Sequence, residues 1–121
     1  MVIKGVSMIE LNKVQPKTLS EIVESPYNKF IVKFGAGWCG PCRNFKTFIQ
    51  KTSFTPRINT AIYSIQLDDK DQKDAADGLR QFFAFKSIPY CVVTDKSFKI
   101  IDSLSGFSEA EFMKMFNKHF C

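Results

Sequence analysis

Two cysteines, Cys39 and Cys42, stand in the run Trp38-Cys39-Gly40-Pro41-Cys42. Gly40 permits a tight turn between them and Pro41 then fixes it, so their sulfurs can close into a local, reducible disulfide. Apolar residues recur at helical spacing from Cys42 through Phe45, Phe48 and Ile49, which predicts a helix starting at or near Cys39. The first cysteine then sits at a helix N-terminus. There the unpaired backbone N–H groups and the helix dipole stabilise a thiolate and lower its pKa. On this reading Cys39 is the nucleophile. Cys42, one turn further in and less accessible, attacks the resulting mixed disulfide from within and releases the reduced substrate.

Other chemistries compete for the same residues. A C-x-x-C pair can be half of a zinc site, but a second such pair is absent and the lone histidine, His119, falls in the last expected helix. Structural thiols in a packed helix would give the flanking Trp, Gly and Pro no purpose. A scaffold used only for binding would have no need of both sulfurs. Of the remaining cysteines, Cys91 lies on an apolar run, where a small buried core residue competes with a redox role. Cys121 is expected to be exposed, and either reactive or paired between chains.

The elements that must position the pair are legible as an alternation of helical and extended patterns. Met8 to Leu11 reads as a first strand. Thr18 with Glu21 forms a capping box, followed by the apolar face Leu19, Ile22 and Val23, and Pro26 stops that helix. Phe30 to Phe34 is a near-continuous apolar run suited to a strand covered on both sides. Tyr63, Ile65 and Leu67 alternate with Ser64 and Gln66 at strand period until Asp68-Asp69 ends the run. From about Asp71 to Lys86, Ala75, Leu79, Phe82 and Phe83 share a helical face that Gly78 can split. Tyr90 to Val93 and Phe98 to Ile101, on either side of Asp95-Lys96-Ser97, predict a β-hairpin. Ser108 with Glu111 is a second capping box, opening a helix with Phe112, Met113, Phe116 and Phe120 on one face. The order βαβαβαββα implies an α/β fold, a mixed sheet with helices on both faces.

With 121 residues and 45% hydrophobic content the chain suits one domain over residues 1–121, with residues 1–7 expected to be frayed. The net charge of +5 is carried by lysines scattered singly, so no nucleic-acid partner is expected. Met1 to Val6 show neither a sustained apolar stretch nor a small-residue cleavage site. No apolar run approaches the roughly 18 residues of a membrane span. The expectation is a soluble, cytoplasmic protein.

Phe34, Ala36, the run Trp38 to Cys42 and the basic Arg43 resemble the active-site segment of the thioredoxin family, and Ile88-Pro89 and Gly106 resemble its two other substrate-groove elements. The likeness in element order covers about Met8 to Phe120 and implies a thioredoxin-like fold. It implies that Cys39 attacks, Cys42 resolves and Trp38 forms an apolar lid beside them. It also implies that Pro89 is a cis-proline, that the backbone of Ile88 pairs with an extended substrate segment, and that Gly106 lets that segment come close. The implied activity is reduction of protein disulfides by a monomer, with an upstream thioredoxin reductase-like enzyme restoring the dithiol and no bound cofactor or metal.

Several departures mark a divergent member. Lys33 takes the place of the family's buried aspartate, and Ser64 that of its partner lysine. Lys33 either extends its ammonium to the surface or pairs with an acid, and a charge near the sulfurs would favour thiolates and a more oxidising centre. An oxidase or isomerase, or a non-catalytic interaction module, are therefore the alternatives. Gly35 and Thr47 stand where an aromatic and a helix-kinking proline are common, and Lys70 to Gly78 is longer than usual, which predicts a local excursion.

Overall fold

The computed structural model describes residue 9 and residues 11–121. The expectations for residues 1–7 and for Met8 lie outside the described residues. The first described strand is β1 (Asn12–Val14); of the expected Met8 to Leu11 strand, residues 8 and 10 lie outside the described residues, residues 9 and 11 are not in a strand, and Leu11 is buried just ahead of β1. There follow α1 (Leu19–Val23), β2 (Lys29–Gly35), α2 (Gly40–Lys51), β3 (Ala61–Gln66), α3 (Lys73–Leu79), β4 (Tyr90–Asp95), β5 (Ile100–Ser105) and α4 (Glu109–Phe120). The sheet order is β1-β3-β2-β4-β5. β1, β3 and β2 run parallel, while β4 is antiparallel to β2 and β5 to β4.

β2 is central and covered on both faces, which is why its sequence is apolar almost throughout. Successive side chains of a strand point to opposite faces, so Phe30, Val32 and Phe34 pack with Ile22 of α1 and Ala75 and Leu79 of α3. Ile31 faces the other way, toward Phe45 and Ile49 of α2 and Phe112, Phe116 and Phe120 of α4. Lys33 shares the parity of Ile31 and therefore enters the α2 side. Phe45 meets Phe112 edge-on at 5.3 Å, and such pairs add about 0.5–1.5 kcal/mol beyond the area they bury.

Helix starts follow the capping residues. Thr18 accepts from the Glu21 N–H, and the Glu21 carboxylate accepts from the Thr18 N–H, completing the box. Ser108 accepts from the Glu111 N–H. Three expectations need correction. The long helix to Lys86 ends at Leu79, because the chain turns there to bury Phe83 while Phe82 stays exposed. Gly78 lies against α1 so closely that a Cβ there would stand 2.9 Å from Leu19 Cδ2. Phe98 belongs to the hairpin turn rather than the strand. Its φ of 62° is one that L side chains rarely adopt, and its ring packs edge-on against Phe30 and Phe83. The expected excursion after Asp69 is a short 3₁₀ turn, Lys70–Gln72, running straight into α3.

That turn buries a polar hub. Gln72 is 2% exposed; its Nε2 donates to the carbonyls of Pro16 (3.0 Å) and Ser64 (2.8 Å), and its Oε1 accepts from the Gln66 N–H (2.8 Å). The end of β3 and the segment after β1 are thereby held together. Gln72→Leu keeps the size but strands three backbone groups, so urea unfolding is expected to show a loss of roughly 3 kcal/mol. A loss below about 1 kcal/mol would mean that these groups find water instead.

Candidate active site

α2 begins where β2 ends, and its N-cap residue is Cys39, with Gly40 and Pro41 opening its first turn. The Cys42 N–H donates to the Cys39 Sγ at 3.3 Å, so the sulfur fills the role that a serine or aspartate oxygen usually plays at a cap. Cys39 and Cys42 are joined as a disulfide, with Cα atoms 5.2 Å apart. Cys39 is 7% and Cys42 3% exposed, which preserves the expected order of access. The two sulfurs pack with Ala36 and Ile88.

The preceding loop is held by charge. The Gly37 N–H donates to both oxygens of Asp68 (3.0 and 3.2 Å), and Arg43 Nη1 donates to the Gly37 carbonyl at 3.0 Å. Asp68 in the sequence only ended a strand; nothing in its spacing announced that it would clamp the loop before the cysteines.

The groove residues come together. The Ile88–Pro89 bond is cis, and the Ile88 carbonyl oxygen lies 3.9 Å from the Cys39 Sγ. The Gly106 N–H donates to the Pro89 carbonyl at 2.8 Å. Gly106 has φ 81°, and a Cβ there would meet nothing within 4 Å, so backbone conformation calls for glycine and open space lies above it. Trp38 is 73% exposed, presenting its indole to solvent next to the pair.

Gly35 and Lys33 lie on the sheet beneath α2. A Cβ at Gly35 would stand 3.2 Å from the Cβ of Cys42 and 3.4 Å from its Sγ, so the first turn of α2 rests on bare backbone. Lys33 is 4% exposed, flanked by Ser64 on β3 and Cys91 on β4, with its Nζ 5.3 Å from the centre of the Phe45 ring. Among the described residues it has no ion-pair partner. Burial, aided by the charge of Lys46, lowers its pKa to about 8, against a smaller opposing pull from Cys91. The Cys91 thiol is itself pushed up to about 12 by burial, as befits a core residue. Cys121 is exposed. Cys42 lines a 260 Å³ cavity whose walls include Arg43, Lys46, Thr47 and Gln66 and no carboxylate.

Among the described residues no helix is long and apolar enough to cross a membrane, and no group of three or more His, Cys, Asp or Glu is placed to share a metal ion.

A five-stranded mixed sheet, helices on both faces and a disulfide at the start of α2 define a thioredoxin-like fold carrying a redox-active cysteine pair. The family model for thioredoxin matches residues 10–118, nearly the whole length, and the chain belongs to the thioredoxin family. Solved structures agree on the fold. Thioredoxin of Plasmodium falciparum superposes with a TM-score of 0.69 over 95% of this chain and 97% of that one, at 16% identity. Thioredoxin of Malassezia sympodialis gives 0.66 over 94% and 95% at 19% identity, and thioredoxin O2 of Arabidopsis thaliana 0.65 over 91% and 96% at 16%. No curated protein sequence matches the chain. Family and cysteine pair together point to thiol-disulfide oxidoreductase chemistry.

The buried cation has a stability consequence with a definite sign. The folded state holds Lys33 at a pKa of about 8 against 10.5 for the ordinary side chain, so the charged form weakens the fold below pH 8. That penalty is relieved as the pH rises toward 10.5, because the folded protein then releases the proton first. Lys33→Met is expected to gain about 1–3 kcal/mol at pH 7 in an amine-chloride buffer. The difference between the two proteins should shrink between pH 8 and 10.5. A pH-independent difference in denaturant midpoints would show that Lys33 is not held in this way.

Proposed function

We propose that the protein reduces disulfide bonds in other proteins through a Cys39/Cys42 dithiol-disulfide cycle. The observation that carries this reading is the Cys39 sulfur at the cap of α2, accepting the Cys42 N–H and lying beside the Ile88 carbonyl. In the dithiol form the cap stabilises a Cys39 thiolate. That thiolate attacks one sulfur of the substrate disulfide, forming a mixed disulfide and expelling the other substrate sulfur as a thiolate that takes up a proton. Cys42 loses its proton to water in its adjoining cavity and attacks the Cys39 Sγ. The second substrate thiol leaves, and the Cys39–Cys42 disulfide remains. An upstream disulfide reductase then supplies two electrons and two protons to restore the dithiol.

Trp38, Ile88, Pro89 and Gly106 make the docking surface for an extended substrate segment, with the Ile88 backbone pairing to it. Gly-Pro between the cysteines supports the reducing direction, as in the reducing members that the sequence resembles. Both sulfurs and the whole groove come from one chain, so a monomer suffices. A dithiol cycle of this kind works in a reducing compartment such as the cytoplasm.

The burial of Lys33 favours a second reading, a more oxidising centre serving an oxidase or isomerase. A cation on the α2 side stabilises thiolates and hence the reduced form, which raises the potential. Equilibration with a glutathione buffer separates the two: a poise near the roughly −270 mV typical of thioredoxin supports the reductase, and one near −120 mV the oxidase.

With dithiothreitol as electron source, the purified protein is expected to precipitate insulin by reducing its disulfides, and Cys39→Ser to abolish that activity. Cys42→Ser should retain the attack and accumulate the mixed disulfide. Undiminished activity in Cys39→Ser would sink the assignment.

A further inference from the structure

On the side of α2 away from the groove, a second cavity of 260 Å³ lies between the helix and the strands β1, β2 and β3. Lys13, Lys33, Lys46, Ser64 and Gln66 bring polar groups to its walls, and no carboxylate lines it. The Lys33 side chain is 4% exposed and, among the described residues, unpartnered in any ion pair. No fully enclosed polar side-chain atom among the described residues lacks a hydrogen bond, so the Lys33 ammonium reaches open space in this cavity. Lys46 stands close enough for its charge to disfavour the Lys33 ammonium. Lys13 donates to the Thr52 carbonyl at 3.0 Å and adds a third positive charge at the edge.

A buried ammonium at Lys33 that shares one cavity with the half-buried Lys46 is costly unless a counter-charge joins them. The walls are rich in donors: three N–H on each ammonium, a hydroxyl and an amide. Such a set suits an anion with several acceptor oxygens spread in three dimensions better than a carboxylate, which offers two in a plane. The volume falls below the roughly 300–1,000 Å³ of pockets for drug-sized molecules, so the occupant is small. Val14 and Ile49 add apolar wall on which a short organic substituent could rest.

We propose that this cavity is a binding site for a small phosphate-type oxyanion, held by Lys33 and Lys46 with Ser64 and Gln66 as further hydrogen-bonding groups. The site is independent of the disulfide-reduction reading, although Lys46 and Gln66 also wall the cavity at Cys42. Lys33, a cation within the buried part of β2, is the residue that gives this cavity its anion-binding character.

Thermal unfolding of the oxidised full chain tests it, with sodium phosphate or glycerol phosphate titrated against sodium chloride at equal ionic strength. A saturable rise in Tm is expected with at least one of the two phosphates. Lys33→Met, which should fold more stably at neutral pH, is expected to weaken that binding by about tenfold or more, and Lys46→Gln by several-fold. Lys99→Gln, in the distant β4–β5 turn, should leave it unchanged. Tighter binding of glycerol phosphate identifies a phosphomonoester as the ligand, and the reverse order inorganic phosphate. No saturable rise with either, or a rise undiminished in both Lys33→Met and Lys46→Gln, overturns the proposal.

Discussion

A sulfur in the cap of α2 is the constraint on which the rest depends. The first turn of any helix leaves backbone N–H groups without intrahelical partners, and here the Cys42 N–H spends itself on the Cys39 Sγ. One contact serves both structure and chemistry: it caps the helix, and it places half a unit of positive dipole charge, roughly, against the sulfur that becomes a thiolate. The arrangement works only if α2 is held still. Phe45 and Ile49 anchor it to the sheet and α4, Gly35 lets its first turn sit on bare backbone, and Asp68 and Arg43 fasten Gly37 just ahead of the cysteines.

Much of this was legible in the residues. The i, i+3 cysteines with Gly-Pro between them announced both the helix start and the disulfide. Ser and Thr caps marked α1 and α4, and the apolar run in β2 marked a strand buried on both faces. Those signals are local, and local physics produces them. The Ile88-Pro89 and Gly106 elements became meaningful through family resemblance, and their proximity to Cys39 is a product of the sheet order. What was not legible depends on contacts between distant segments. Asp68 reaches Gly37 across the sheet edge, and Gln72 ties three backbone groups from inside a run of charged residues that reads as plain surface. The short α3 and the left-handed Phe98 reflect tertiary burial of aromatic rings overriding helical and strand periodicity.

Lys33 shows the limit most sharply. Its sequence neighbours said only that a charge stood on an apolar strand, leaving a surface position and a buried one open. Strand parity turns it toward α2, and the missing acid leaves it in a cavity with Lys46. The buried group beneath the cysteines is a cation, and no carboxylate shares its cavity, while the cap above it is built from backbone N–H and sulfur alone. The cysteine chemistry and its surroundings have separate physical origins in this chain.

The central claim is that the start of α2 makes Cys39 the activated thiol, and the pH dependence of iodoacetamide alkylation of the reduced protein tests it most directly. Cys39 should be labelled ahead of Cys42 with a midpoint well below the roughly 8.5 of an ordinary cysteine. Lys33→Asp should move that midpoint up, leaving the order of labelling intact. A midpoint at or above about 8.5, or equal labelling of both cysteines, would contradict the account.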